Sequence, residues 1–511
     1  MAEREPIMRA RIPAALFLGV LALAAPAAGV RAESDSLVIA YPVDVPSWDP
    51  VAHTFPLAMS IYKSVFDSPL TYTADLKLAP NVVKEWKSLG DDGRTIELTL
   101  RDDVTFHNGD KLTAEDLRFS FLERQKADPK LATAAVWSKI EDIEIASPTK
   151  AIVKFSAAMP TAPEWWAFLG SFIMPKKYFE SVGKEAFLDK PIGSGPYRVV
   201  EYQRDSRIVL EAYDKYWGKA PLLKHVVFQI VKDPSARAAA VQAGDADIAT
   251  QLPIRETLRL NEVAGLKGRI DPFTDIILLQ IANTGAFTDA NVRLAAHHAI
   301  DKQAISKAFF NGAATPLPVL AVPGSPGYVD GFAFPYSLEK AKEYLAKAGF
   351  GPDKPAKIHF FTTNGAFPND FEMARAIAAM WKKIGIDADI EVIELAKYYE
   401  LNHAGKMPEA TLYRWGNDTG DPEIYTGYIL NPKLRFSAWK SDDIAEPIAK
   451  LFGETNYEKR IKGYRDLNVL VVEKGYAMPL LQGVSTVVYR DNVGFTAYGN
   501  GWVLPATMTK K

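Results

Sequence analysis

The chain has 511 residues, 48% hydrophobic and 24% charged, which is ordinary globular composition, long enough for more than one core. That excludes a disordered, collagen-like or coiled-coil protein, and 60 Lys and Arg against 62 Asp and Glu leave no basic excess for nucleic acid. The absence of cysteine excludes thiol catalysis, disulfide scaffolds, thiolate metal sites and a lipid-modified N-terminal cysteine.

The first segment reads as an address. Arg9 and Arg11 precede an apolar run from Ile12 to Ala25, and Val30 and Ala32 stand where a signal peptidase reads small residues. The run is shorter than the ~20 residues a spanning helix needs. Residues 1–32 are therefore expected to be a cleaved secretory signal, starting at Met1 or Met8, and the mature chain to be soluble, untethered and periplasmic.

Strand-like and helix-like segments then alternate. Leu37 to Ala40 predicts a first strand. Ile96, Leu98 and Leu100 alternate after an Asp92-Gly93 turn, and Ala151, Val153 and Phe155 do the same. Ile208, Leu210 and Ala212 follow, then Val226, Phe228 and Ile230. Asp289 to Ile300 and Asp301 to Asn311 predict consecutive helices closed by Gly312. Leu338, Ala341, Leu345 and Ala348 form a helical stripe with Ser337 as cap, Gly349 as stop and Glu343 spaced to pair with Lys347. Ile358 to Phe361 is a buried-type strand. Met373, Ile377, Met380, Trp381 and Ile384 mark a helix ended by Gly385, and Ala388, Ile390 and Val392 alternate with acidic residues. The pattern is α/β.

Catalytic signatures are thin. No G-x-S-x-G elbow, H-E-x-x-H or Walker A loop occurs. Gly193-Ser194-Gly195-Pro196 reads as a turn, because Pro196 has no N–H and no lysine follows. Of seven histidines only His297 and His298 are adjacent, and successive helical positions do not share a face. No catalytic residue, metal site or cofactor is expected.

Several segments together resemble the bacterial extracellular solute-binding proteins of family five, the receptors of ABC importers. They are VTFHNGDKLTAEDLRFSF (104–121), IGSGPYRVVEYQRDSRIVLEAYDKYWG (192–218), RAAAVQAGDADI (237–248), VRLAAHHAIDKQAI (292–305) and the helix 338–350. They run in family order. The first resembles a strand, then His-x-Gly, then a helix near Thr113, with Asp116 placed for a capping box. Gly193 and Gly195 suit turn conformations closed to residues with a Cβ.

The resemblance implies a two-lobe periplasmic-binding-protein fold (type II, cluster C-like) joined by two crossing strands, with an extra subdomain inserted in the first lobe. Lobe I is expected at 33–73, 193–277 and 479–511, the insertion at 74–192 and lobe II at 278–478. The ligand would lie between lobes. YRWGNDTGDP (413–422) matches the W-x-x-D-x-x-[DE]-P pattern of peptide-binding members, whose first Asp binds the ligand ammonium. That position is Asp418, with Trp415 as an apolar wall and Asn417 beside it. Arg414 departs from the family's small residue: facing the cleft it would hold a ligand carboxylate, and on the opposite strand face it would be solvated. Thr54 and Phe55, in the loop after the first strand, Thr363 and Asn364, and the pair Trp165 and Trp166 are further candidates. Arg375 reads as a surface charge on a helix.

The expected function is a monomeric receptor that captures a peptide or related amine-bearing solute and delivers it to an inner-membrane ABC permease, with no nucleic-acid partner. Receptors for an opine, amino sugar or metal chelate are alternatives. A secreted hydrolase or a periplasmic chaperone are the competing classes.

Overall fold

The computed structural model describes residues 35–52, 56–128, 131, 134–168, 170–417, 419–434 and 437–511. Residues 1–32, expected to be a secretory signal, lie outside them. Among the described residues ten strands form one mixed sheet. From one edge the order is Ile386–Val392, Ala356–Thr362, Ala410–Trp415, Leu266–Ile281, Ala477–Arg490, Ile248–Thr250, Ser36–Tyr41, His225–Ile230, Arg207–Ala212 and Tyr197–Gln203. Ser36–Tyr41 lies parallel to His225–Ile230, in register from Ser36 with His225 to Tyr41 with Ile230. The two longest strands, Leu266–Ile281 and Ala477–Arg490, pair antiparallel with register shifts between Pro272 and Ile276 and between Ile277 and Leu278. Such irregularities bend a strand pair.

These two strands run between two hydrophobic cores. The first gathers residues from Leu37 to Phe228 and, from the chain's end, Val487, Tyr489, Trp502 and Met508. The second gathers residues from Ile276 to Leu481. A four-stranded antiparallel sheet (Val83–Ser88, Thr95–Leu100, Lys150–Phe155, Ile140–Ser147) packs into the first core.

Local chemistry explains the elements. Ile96, Leu98 and Leu100, and Ala151, Val153 and Phe155, are buried at every second position, so one face of each strand joins the core. Ser337 Oγ accepts the Lys340 N–H at 3.2 Å, Gly349 takes φ 78°, and Lys347 meets Glu343 at 2.7 Å, as the spacing predicts. Asp289 and Asp301 cap the helices Ala290–His298 and Lys302–Phe310, and Asn311 and Gly312 close the second with positive φ. The helix Asp370–Lys382 buries Met373, Ile377 and Trp381, and Gly385 follows at φ 98°. The strand Ile386–Val392 is at the sheet's edge, so its apolar face is only partly covered and Val392 is exposed.

Three expectations are corrected. No strand runs directly into His107: Thr95–Leu100 ends earlier, Thr105 and Lys111 make an isolated bridge, and the capping box Thr113–Asp116 follows. Gly193 and Gly195 do not need positive φ. They are glycines because the Val65 carbonyl passes against them; a Cβ would lie 2.0 Å from its oxygen at Gly193 and 2.8 Å at Gly195. Finally, His297 and His298 do meet a common partner, for Phe334 stacks on both at 3.9 and 4.3 Å.

The signature segments interlock. His107 donates its backbone N–H to the Gly193 carbonyl at 2.8 Å, and its Nε2 lies 3.0 Å from the Gly195 carbonyl oxygen. Buried Asp67 accepts from Ser194 Oγ at 3.1 Å and Trp217 Nε1 at 3.0 Å, joining both ends of 192–218. Burial pushes the Asp67 carboxyl up to about 6.

Candidate functional site

Ala410–Trp415 pairs antiparallel with the crossing strand, Trp415 opposite Ile276 and Arg414 opposite Ile277. Successive residues face opposite sides. Trp415 is half-buried, and its ring meets Tyr413 at 6.1 Å, which in turn stacks on Tyr398 at 4.4 Å. Arg414 is partly exposed, with one of its donors taken inside the protein. Its Nε donates to Asp275 Oδ2, its guanidinium lies 5.2 Å over Phe273, and Asp275 is buried. Both partners sit in the register shift of the crossing strands, so the arginine is committed to that bend.

The loop after Trp415 is held by its own polar side chains. Asn417 is fully buried. Its Oδ1 accepts from Thr419 N (3.1 Å), Thr419 Oγ1 (2.6 Å) and Gly420 N (3.0 Å), and its Nδ2 donates to the Asp421 carbonyl at 2.9 Å. Every acceptor and one donor of this amide are spent on the turn, so Asn417 shapes the loop. Gly420 supplies the positive φ of 70°. Arg460 then clamps Asp421 bidentately at 2.9 and 2.7 Å, with both side chains almost inaccessible. Asp421 Oδ1 also accepts the Glu423 N–H at 2.9 Å. Asp418 itself lies outside the described residues, as do Thr54 and Phe55.

The remaining candidates separate. Asn364 is exposed after the strand Ala356–Thr362, whereas Thr363 donates to Asp370 at 2.6 Å. The Asp370 carboxylate collects Gly365 N and Ala366 N as well, which fixes that turn. Arg375 is exposed over Phe371. Trp165 and Trp166 are both buried. Trp166 stacks on Trp137 at 6.0 Å, and both tryptophans belong to the first core, where Trp165 also meets the stretch 423–428.

This last contact is a seam that sequence reasoning missed. Thr161 Oγ1 donates to Glu423 Oε1 at 2.8 Å and Trp165 Nε1 reaches it at 3.5 Å. Trp165 packs on Tyr428 at 5.6 Å, Ile424 inserts into the first core, and Thr455 Oγ1 reaches the Asp91 carbonyl at 3.4 Å. Asp421 and Pro422 end the 413–422 pattern, but nothing local points to Glu423 or to Arg460, which is 39 residues from Asp421.

A site built this way, with an apolar wall, a rigid acidic loop and a seam between two cores beside a bend, suits non-covalent capture. The family model for bacterial extracellular solute-binding proteins, family 5 Middle, matches residues 77–434. The dipeptide-binding protein of Escherichia coli K12 is 26% identical over 431 residues, covering 79% of this chain and 80% of that protein. The Helicobacter pylori periplasmic binding protein DppA, solved with the peptide STSA, superposes with a TM-score of 0.81 at 23% identity, covering 93% of this chain and 98% of that one. The Brucella suis NikA structure with Fe(III)-EDTA gives a TM-score of 0.84 at 20% identity, covering 93% and 100%.

Proposed function

We propose, from the premise that this chain belongs to the bacterial extracellular solute-binding proteins of family 5, that it captures peptides or a related amine-bearing solute. It is a binding protein with the two-lobe fold of that family, a receptor of an ABC importer and not an enzyme. In this reading the lobes divide at the two crossing strands. Lobe I is 33–73, 193–277 and 479–511, with 74–192 inserted, and lobe II is 278–478. The mature protein is a free periplasmic monomer, released from its leader at Ala32.

The observation that carries the ligand class is the loop 415–422. Trp415, Asp418 and Asp421 occupy the Trp and both acidic positions of the peptide-receptor pattern. The flanks of Asp418, Asn417 and Thr419, are buried and hydrogen-bonded into a fixed turn, so a carboxylate carried between them needs little reorganisation to meet an ammonium. Trp415 offers a wall for apolar or cationic parts of the solute. Asp275 takes Arg414 Nε, which leaves the terminal nitrogens of this partly exposed guanidinium for a ligand carboxylate. Thr54, Phe55 and Asn364 are further ligand-binding candidates in this reading.

Native mass spectrometry of protein purified from periplasm, followed by release and identification of the bound molecule, tests this. One peptide or amine per chain is expected. Release of a molecule without an amine, or turnover of peptide or ester substrates abolished by one buried substitution, refutes it.

A further inference from the structure

The seam between the two cores contains more negative charge than it neutralises. Glu164 reaches it from the helix Ala162–Trp166 of the first core; Asp421 and Glu423 come from the loop beside the second. Arg460 is the guanidinium among them, and both of its paired hydrogen bonds go to Asp421. Lys139 acts on Glu423 from farther off. The other titratable groups facing the cluster are the hydroxyls of Tyr428, Tyr457 and Tyr464, which burial keeps protonated. Glu423 Oε1 has its donors, Thr161 and Trp165, but Glu423 Oε2 and Glu164 Oε2 are sealed from water and have none among the described residues. Glu164 keeps part of its surface open, yet that oxygen points into the seam.

Two buried carboxylate oxygens without donors, set beside a third carboxylate, are strongly disfavoured as anions. A water molecule or metal ion needs room and several ligands. These oxygens expose no surface to admit either, and no three acidic or histidine side chains among the described residues are arranged to hold a metal. A proton needs no such room.

We propose that the two cores close with uptake of protons by the buried Glu164 and Glu423 carboxylates of this seam, so that closure over the solute is favoured as the medium becomes acidic. This rests on the receptor reading only in requiring the cores to part and close. The electrostatics agree in sign. Burial, with Asp421 as the nearest charge, pushes the Glu164 carboxyl up to about 8 and that of Glu423 up to about 7 in the closed seam. Parted and wet, both return toward the ordinary 4.5. Between those values the open form is ionised and the closed form protonated. Closure therefore weakens as pH rises, by up to about tenfold per pH unit for each proton, and levels off once the closed form is ionised too.

Amide hydrogen exchange of the ligand-free mature chain, corrected for intrinsic rates, reads this directly. Peptides covering 161–168 and 423–430 are followed at pH 6 and pH 8.5, with 377–384 in the second core as reference. In the wild type both seam peptides are expected to lose about tenfold or more in protection at the higher pH while the reference holds. Glu164→Gln and Glu423→Gln each mimic the protonated acid and should shrink that loss. Equal seam protection at both pH values, loss shared by the reference peptide, or single variants that both follow the wild type would overturn the proposal. No solute is used, so a wrong ligand class leaves this result standing. A chain that captures no amine would remove the ligand reading without touching it.

Discussion

Replacing Arg460 by Met should destabilise the protein by about 3–5 kcal/mol, the range for removing one partner of a buried ion pair. The structure places the pair at the upper end of what such a contact loses. Arg460 is 3% and Asp421 6% exposed, so solvent screens neither, and the pair is bidentate at 2.9 and 2.7 Å. Without the guanidinium, Asp421 keeps only the Glu423 N–H on its carboxylate, with two further acidic side chains close by. Arg460→Lys keeps the charge but loses one of the paired hydrogen bonds, for a smaller cost of about 1.5–3 kcal/mol. Adding Asp421→Asn to Arg460→Met removes the stranded charge and should recover part of the loss, which a double-mutant cycle measures. Urea unfolding followed by tryptophan fluorescence is the assay. With a slope of about 3 kcal/mol/M, the midpoint of Arg460→Met falls by about 1–1.7 M. A shift worth under about 1 kcal/mol, or no recovery in the double variant, would show that the clamp does not hold the loop.

Other perturbations read other parts of the argument. Asp418→Ala should abolish tight binding of amine-bearing solutes while leaving the melting temperature near the wild-type value; isothermal titration showing unchanged affinity removes its assigned role. Gly193→Ala drives a Cβ to 2.0 Å from the Val65 carbonyl oxygen, so a loss of about 3 kcal/mol or more is expected. An unchanged melting temperature would contradict that close approach. Lys302 is buried with one hydrogen bond, to the Leu317 carbonyl at 2.8 Å, and burial lowers its ammonium to about 7. Its neutral form is therefore native above pH 7, while the unfolded chain stays protonated to about 10. The Lys302 contribution to wild-type stability should rise with pH across that window. Lys302→Met should flatten the rise and stabilise the chain at pH 7 by about 1–4 kcal/mol. Denaturation midpoints at pH 7 and 9 that rise equally in both proteins would refute it.

How much was legible depended on the range of the interaction. The strands Thr95–Leu100 and Lys150–Phe155 and the helix Leu338–Lys347 announce themselves because period and caps are local properties, and the structure reproduces them. The signature segments were legible as a set, although their reason was not. Gly193 looks like a turn glycine and is in fact a contact glycine, because the carbonyl it meets is more than a hundred residues away. The same limit hid Arg460, Glu164 and the partner of Arg414. Whether a charge ends in water or against another charge is decided by distant chain segments, which neither period nor spacing encodes. The adjacent histidines mislead for a related reason, since a third ring, Phe334, stacks on both.

The pairing of the two long strands also governs the order in which the molecule becomes whole. Every residue of the second core lies between Ile276 and Leu481, in one continuous stretch. The first core begins at Leu37 yet waits for Val487, Tyr489, Trp502 and Met508. Even the opening strand is tied to the tail, for Asp247 accepts both the Val38 N–H and the Lys510 ammonium at 2.9 Å. A growing or threading chain thus settles its later half as a unit, while its earlier half stays incomplete until the final residues emerge.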